Sequence, residues 1–294
     1  MTKLGFVANS SSNSVTVFDR QTNTVINSIS VGTTPFVPAL TPNGKFVYVT
    51  NNGANTVSVI DVAQNMVVDT IPVGAGPFGV IISPNGKRAY VMNNLSNDVS
   101  VIDTKTNMVI ATIPVGDGPI IGDVTPNGKF LYVPNSNSDT VSVIYTKTNM
   151  VIATIPVGDE PRQLVITPNG KFAYVTNRSS NTVSVIRVKH NTVVATIPVG
   201  IQPRGIDIPS NGKFAFVANF GSNTVSVIDI KQNLVIQTIP DGLQPLGLVV
   251  TSNGKFVYVA NFGSNTVSVI DVTQQMIVDT IMVGGNPVGI AIES

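Results

Sequence analysis

The stretch Thr41-Pro42-Asn43-Gly44-Lys45-Phe46-Val47-Tyr48-Val49-Thr50-Asn51, followed by Thr56-Val57-Ser58-Val59-Ile60-Asp61, decides the architecture, because close copies of it return every 42 residues along the chain. Asn-Gly-Lys starts at Asn43, Asn85, Asn127, Asn169, Asn211 and Asn253 without a slip in spacing, and the aromatic-Val-x-Asn run that follows it also stands near the start, at Phe6 to Asn9. Seven copies fill the 294 residues. In such a chain each unit buries its apolar faces against its neighbours.

Within one unit, residues 45–51 and 56–61 are short, β-branched and aromatic and are bounded by turn residues, so they read as strands. Val67 to Val73 contains Pro72, which lacks an N–H, and reads as the outer strand. Phe78 to Ile82 is opened by Pro77 and closed by Ser83-Pro84-Asn85-Gly86, whose Pro followed by Asn-Gly specifies a tight turn. Four strands and their turns leave no room for a helix. The expected fold is all-β: a single domain, 1–294, forming a seven-bladed β-propeller of four-stranded antiparallel blades. A linear solenoid would need polar capping units, and neither terminal copy is more polar than those between them. The repeat frame itself asks for a ring. Lys3 aligns with Lys45, so the chain begins at the second strand of a unit, and the missing first strand, Pro287 to Ile292, stands at the other end. The closing blade is therefore expected from 3–31 plus 287–293, which removes two open sheet edges.

Composition narrows the chemistry. Hydrophobic residues make up 43% of the chain, enough for a large core, and 17 basic against 16 acidic residues leave a net charge of +1, which gives no overall basic field for nucleic acid. With no Cys there is neither a disulfide framework nor a thiolate metal site. The lone His190 falls in a turn between third and fourth strands, which excludes a multi-His metal centre or a Ser-His-Asp triad at a central channel. No cofactor and no metal is expected. Met1-Thr2-Lys3-Leu4-Gly5-Phe6 leads straight into repeat sequence without a signal-like apolar run, so the chain as written reads as cytoplasmic, or as extracellular or cell-surface if a leader has been trimmed. No run approaches the ~20 apolar residues of a membrane span.

Function is sought where the copies disagree, since shared positions already have structural work. In a propeller the loop from outer strand to next inner strand and the loop from second to third strand surround one mouth of the channel. The first loop and the residue after its Pro bring Asp117, Asp159, Glu160, Arg162 and Arg204 from successive blades, with Gln163 and Gln202 beside them, and place Phe36 and Phe78 on the other side. The second loop adds Arg178, Phe220 and Phe262 where other copies carry Asn or Ser. Exposed aromatics next to cations invite a ligand or partner. Inside the inner strands, Asp123 and Asp207 replace residues such as Val165 and Val249. A carboxylate there asks for pairing or water, with Arg204 or Arg162 the expected partner of Asp207; left free, these two acids are candidates for a general base or a ligand of a hard cation such as Ca²⁺ or Mg²⁺, and Glu160 is a further catalytic candidate. The inner strands containing Pro119-Ile120-Ile121-Gly122 and Pro35-Phe36-Val37-Pro38 break the Pro-x-Gly pattern and are expected to bend differently. The recurring Asn51 and its equivalents are expected to bond loop backbone. Tyr145 and Arg187 replace a turn-capping Asp in two adjacent blades, a possible contact patch on the face away from the mouth.

Tyr48-Val49-Thr50-Asn51 and Tyr174-Val175-Thr176-Asn177, with Pro-Asn-Gly-Lys before and Val-Ser-Val-Ile after, resemble the YVTN family of β-propeller repeats over the whole chain. That resemblance implies the seven-bladed fold, and members in archaeal surface-layer and bacterial cell-surface proteins imply adhesion or protein binding. Related propellers include lactonase-type enzymes resembling 6-phosphogluconolactonase and the streptogramin lyases. The lyases' His base and metal have no counterpart here, and the uniformity of the copies also resembles recently amplified or engineered propellers. The leading expectation is a monomeric binding or scaffold module that recognises a protein or small-molecule ligand at the mouth, without nucleic acid and without membrane insertion. The alternatives are a small-molecule hydrolase or lyase working in the channel and a purely structural repeat.

Overall fold

A computed structural model describes residues 3–293; Met1, Thr2 and Ser294, the extreme ends of the expected domain, lie outside the described residues. The first complete blade runs from the channel outward as strand A Pro35–Leu40, B Phe46–Asn51, C Thr56–Asp61 and D Met66–Pro72, hydrogen-bonded in that order. Five more sheets repeat the order, and the seventh joins Pro287–Ile292 to Leu4–Asn9, Ser14–Asp19 and Thr24–Ser30. The two chain ends pair antiparallel, Gly5 opposite Ile292 and Val7 opposite Ile290, so the ring closes as the repeat frame requires. The blades that start at Pro35, Pro77, Pro119, Pro161, Pro203 and Pro245 are numbered one to six, and the closing blade is the seventh. No helix forms among the described residues, and hence none long and apolar enough to cross a membrane.

The core lies between blades rather than within any one. Strand B is buried on both faces because a neighbour covers each. Val47, Val49 and Ile60 of blade one pack on Phe6, Val15 and Val17 of blade seven, while Tyr48, Val57 and Val59 pack on Val80, Ala89 and Val91 of blade two. Each such side chain contributes about 1.5–3 kcal/mol. Hydrogen bonds reinforce these interfaces: Tyr48 donates to Asn107 Oδ1, Tyr132 to Asn191 Oδ1 and Tyr174 to Asn233 Oδ1, all at 2.6 Å.

The recurring Asn works differently from the expectation. Asn51 Nδ2 donates to the Thr56 and Ser58 hydroxyls at 3.0 and 2.9 Å, on strand C of its own blade and not to loop backbone. Its side chain fills the space beside Gly32, where an added Cβ would stand 2.6 Å from Asn51 Cγ, which accounts for the Gly that every unit carries at this position. The inner-strand Gly has another cause. A Cβ on Gly247 would meet the Val288 carbonyl oxygen at 2.3 Å, so neighbouring inner strands approach backbone to backbone around the channel. Blade three, with Ile121 where most copies carry that Gly, departs as expected. Its inner strand shrinks to Asp123–Val124, and Ile121 makes a parallel bridge to Gln163 of blade four. Blade one does not depart: Pro35–Leu40 stays continuous, because Pro38 opposes Val49 at a position whose N points away from strand B.

Candidate functional site

The mouth is built where the D-to-A and B-to-C loops meet. Their backbones are stitched together by Asn52 N to Thr34 O at 2.9 Å in blade one, and by Arg178 N to Glu160 O at 3.0 Å in blade four. Glu160 occupies the left-handed region at φ 55°, where blades two and three carry Gly76 and Gly118. Its carboxylate accepts from Arg178 Nη1 at 2.7 Å to both oxygens, from Ser179 Oγ at 2.7 Å and from Arg162 Nη2. Burial alone would raise the Glu160 carboxyl, but Ser179, Arg178 and Arg162 together hold it below its usual value. It is therefore an ionised anchor and poorly suited to accept a proton.

Arg204 is different. Its guanidinium lies 4.8 Å from the centroid of the Phe220 ring, and it forms no ion pair among the described residues. Burial, and then the charges of Arg162 and Arg178, push it down to about 10. The Nε atoms of Arg162, Arg178 and Arg204 are buried without protein partners. Three cations and one carboxylate leave a local excess of two positive charges.

Below this cluster a cavity of about 520 Å³, its open mouth included, runs into the channel. Arg162, Gln163 and Arg204 supply its polar wall, and Phe78, Ile120 and Leu246 are prominent in the apolar wall. Phe36 backs Phe78 edge-to-face, with centroids 4.7 Å apart, and Phe262 lies 6.3 Å from Phe220. The lopsided mouth is thus present, but Asp117 and Asp159 do not join it: both are exposed and neither lines the cavity.

Asp123 and Asp207 sit deeper, outside that cavity lining. The expected pairing of Asp207 with Arg204 or Arg162 does not form. Asp207 instead accepts the Ile208 amide and, from blade six, the Val250 amide, each at 2.8 Å. Asp123 does the same with Val124 at 2.7 Å and Ile166 of blade four at 2.8 Å. Each acid clamps two inner strands. Burial nevertheless outweighs these bonds and raises Asp123 to about 7 and Asp207 to about 6. No group of three or more His, Cys, Asp or Glu capable of holding a metal forms among the described residues.

One unusual acid escaped the sequence reading. Asp241 stands where other copies carry Val31 or Val73, and both its carboxyl oxygens are buried without a well-formed hydrogen bond. Burial raises it, and the nearby Ser268, Gly242 amide and Asn261 offset this only in part. The signal was legible as Pro-Asp-Gly in place of Pro-Val-Gly. The role of Phe220 as a platform for Arg204, by contrast, follows only from the geometry.

Comparison with known proteins agrees with this architecture. The family model described as lactonase, 7-bladed beta-propeller matches residues 33–196, 109–236 and 191–279 in overlapping segments. Among solved structures, the Kuenenia stuttgartiensis hydrazine synthase shares 27% identity over 91% of this chain and 92% of that one, with a TM-score of 0.84. A functionally unknown Desulfotomaculum acetoxidans protein covers 98% of both chains at 20% identity and TM-score 0.89. A Bacteroides uniformis protein assigned provisionally as a 6-phosphogluconolactonase covers 100% of both at 19% identity and TM-score 0.83. At these last two identities the likeness is one of fold. No curated protein matches the chain.

Proposed function

The chain belongs to the seven-bladed β-propeller lactonase family, and from that premise we propose that the channel mouth binds a small organic anion. A carboxylate meets Arg204 and Arg162, and the apolar body lies on Phe78, Ile120 and Leu246. The observation that carries this reading is Arg204, a half-buried cation with no carboxylate partner beside an open cavity. A bound carboxylate supplies the missing charge in a place where water competes weakly, and guanidinium groups suit its geometry. The Tyr-Val-Thr-Asn likeness to surface proteins also fits a recognition role.

A second reading, lactone hydrolysis, is favoured by the family match. Water attacks the lactone carbonyl, the ring C–O bond breaks, and the product is a hydroxy acid whose carboxylate suits the same arginines. Asp123 is the candidate base, since its raised value leaves it poised near neutrality. Titration calorimetry with a series of small aromatic and aliphatic carboxylates and lactones tests binding, and a pH-stat with the same lactones tests turnover. Binding lost in Arg204→Ala, without turnover, supports the binding module. Turnover lost in Asp123→Asn but retained in Asp207→Asn supports the hydrolase. No binding heat that Arg204→Ala abolishes, together with no turnover of any lactone, refutes both.

A further inference from the structure

The net charge of +1 conceals a strong separation. Lys3 and its six successors at 42-residue steps all lie exposed on the face opposite the mouth, at the A-to-B turns. Their backbones fix them there: Lys45 O accepts Val62 N at 3.0 Å, Lys171 O accepts Val188 N at 3.0 Å and Lys213 O accepts Ile230 N at 3.1 Å, each tying the turn to the end of strand C. Lys105, Lys147, Lys189 and Lys231 stand in the neighbouring C-to-D turns, with Arg20 and Arg187 at the ends of strand C and Arg88 at the start of strand B beside the A-to-B turn. Fourteen of the 17 basic residues therefore occupy one face. Five turn aspartates equivalent to Asp61, Glu293, and Asp69 and Asp279 of the rim oppose them with eight carboxylates. The mouth face carries the remaining three arginines against six acids.

The same end carries apolar side chains. Strand D begins at the C-to-D turn, and its first residue is Met66, Met108, Met150, Leu234 or Met276 in five of the blades, each between 51% and 64% exposed. A ring of lysines within a crown of unbranched or flexible apolar side chains combines the two forces of peripheral lipid binding: attraction to anionic headgroups and shallow burial at the acyl boundary. Blades four and five concentrate both the charge and a receptacle. In blade four Arg187 replaces a turn aspartate, as Tyr145 does in the adjacent blade three, and a cleft of about 970 Å³ between blades four and five, open solvent included, is lined by Lys171, Phe172, Lys231 and the Ser210-Asn211-Gly212 turn.

We propose that this basic face docks the propeller flat on an anionic lipid surface, with the cleft between blades four and five receiving a phosphate-bearing headgroup and the mouth left facing solution. A soluble polyanion would use the lysines but has no use for the methionine crown.

Co-sedimentation with vesicles of phosphatidylcholine, alone or mixed with phosphatidylglycerol, tests this. Wild-type protein should partition only onto the anionic vesicles and be released by high salt. At about five-fold per basic residue near the surface, Lys171→Glu/Lys189→Glu/Lys231→Glu should weaken partitioning more than ten-fold. Met108→Ser/Met150→Ser should weaken it several-fold with an unchanged melting temperature, and Arg162→Ala/Arg204→Ala should leave it as it was. No partitioning overturns the proposal. So does partitioning indifferent to the methionine change and displaced equally well by a soluble polyanion such as heparin or DNA, which would assign the face to that class instead. Loss in the mouth variant would overturn the assignment of the face.

Discussion

Phe6→Tyr should make the propeller more stable. Phe6 occupies the position of Tyr48 one repeat earlier, and three of the tyrosines at that position, Tyr48, Tyr132 and Tyr174, reach an Asn 59 residues on, in the next blade. For Phe6 the equivalent is Asn65, whose Oδ1 is buried with no partner. Phe6 itself is fully buried in the interface with blade one, so the new hydroxyl would be directed at that oxygen. A net hydrogen bond is worth about 1 kcal/mol, and relief of an unpaired buried acceptor brings the gain to about 1–2 kcal/mol. For a chain of this size that is a rise of about 2–6 °C in melting temperature. Urea unfolding should show a higher midpoint at unchanged slope. A double-mutant cycle with Asn65→Ala isolates the pair. If Phe6→Tyr is neutral or destabilising, or if its gain survives in the Asn65→Ala background, the inter-blade tyrosine bridge is not a transferable stabilising element.

Other outcomes follow from the misplaced charges. Asp241→Val restores the residue of the other copies and should stabilise by about 1–3 kcal/mol, more at pH 7 than at pH 4, because the folded carboxyl is raised and its ionisation is what burial opposes; equal urea midpoints for the two proteins would refute this. Asp123 and Asp207 are raised to about 7 and about 6, so the unfolded chain ionises first. Stability should then fall as pH rises from about 4 to about 7 and level off above, by up to about 1.4 kcal/mol per pH unit for each carboxyl; urea melts across that range should be flatter in Asp123→Val/Asp207→Val, and an unchanged difference between pH 4.5 and 7.5 would count against it. Arg204→Leu copies Leu246 of blade six. Removing a cation depressed to about 10 relieves about 3 kcal/mol and forfeits about 1 kcal/mol of contact with Phe220, so the ligand-free protein should gain about 2 kcal/mol while losing anion binding; a destabilised variant would mean that Arg204 holds the mouth together.

The ring, its closure and the strand order were legible because they depend on spacing, which the sequence displays directly. Lys3 in register with Lys45 was enough to foretell that Pro287–Ile292 would pair with Leu4–Asn9. Pairings among side chains were less legible. Asp207 and Arg204 are three residues apart and opposite in charge, yet the inner strand directs Asp207 to the Val250 amide, while Arg204 lies over Phe220. Asp117 and Asp159 fall in the same loops as Glu160 but at the neighbouring position, where side chains leave the channel for solvent. A shift of one residue in a tight loop separates an anchor of two arginines from a solvated charge, and composition does not encode that direction.

The repeat supplies its own control for function. At the position after the inner-strand Pro, blade six holds Leu246 and blade seven Val288, and the blades pack with those apolar residues in place. The ring has no architectural need for a cation there. Arg204 retains a buried Nε without a partner and a depressed affinity for its proton, an arrangement that destabilises the ligand-free protein. Glu160 could have compensated it but is committed to Arg162 and Arg178. The charge deficit is thus localised at one arginine, beside a cavity whose far wall is Phe78 and Ile120. A ligand that relieves it must bring its own negative end to blades four and five and lay an apolar portion across the channel toward blades two and three. That polarity arises from six side chains in an otherwise repeating ring, and it would orient such a ligand without any moving part.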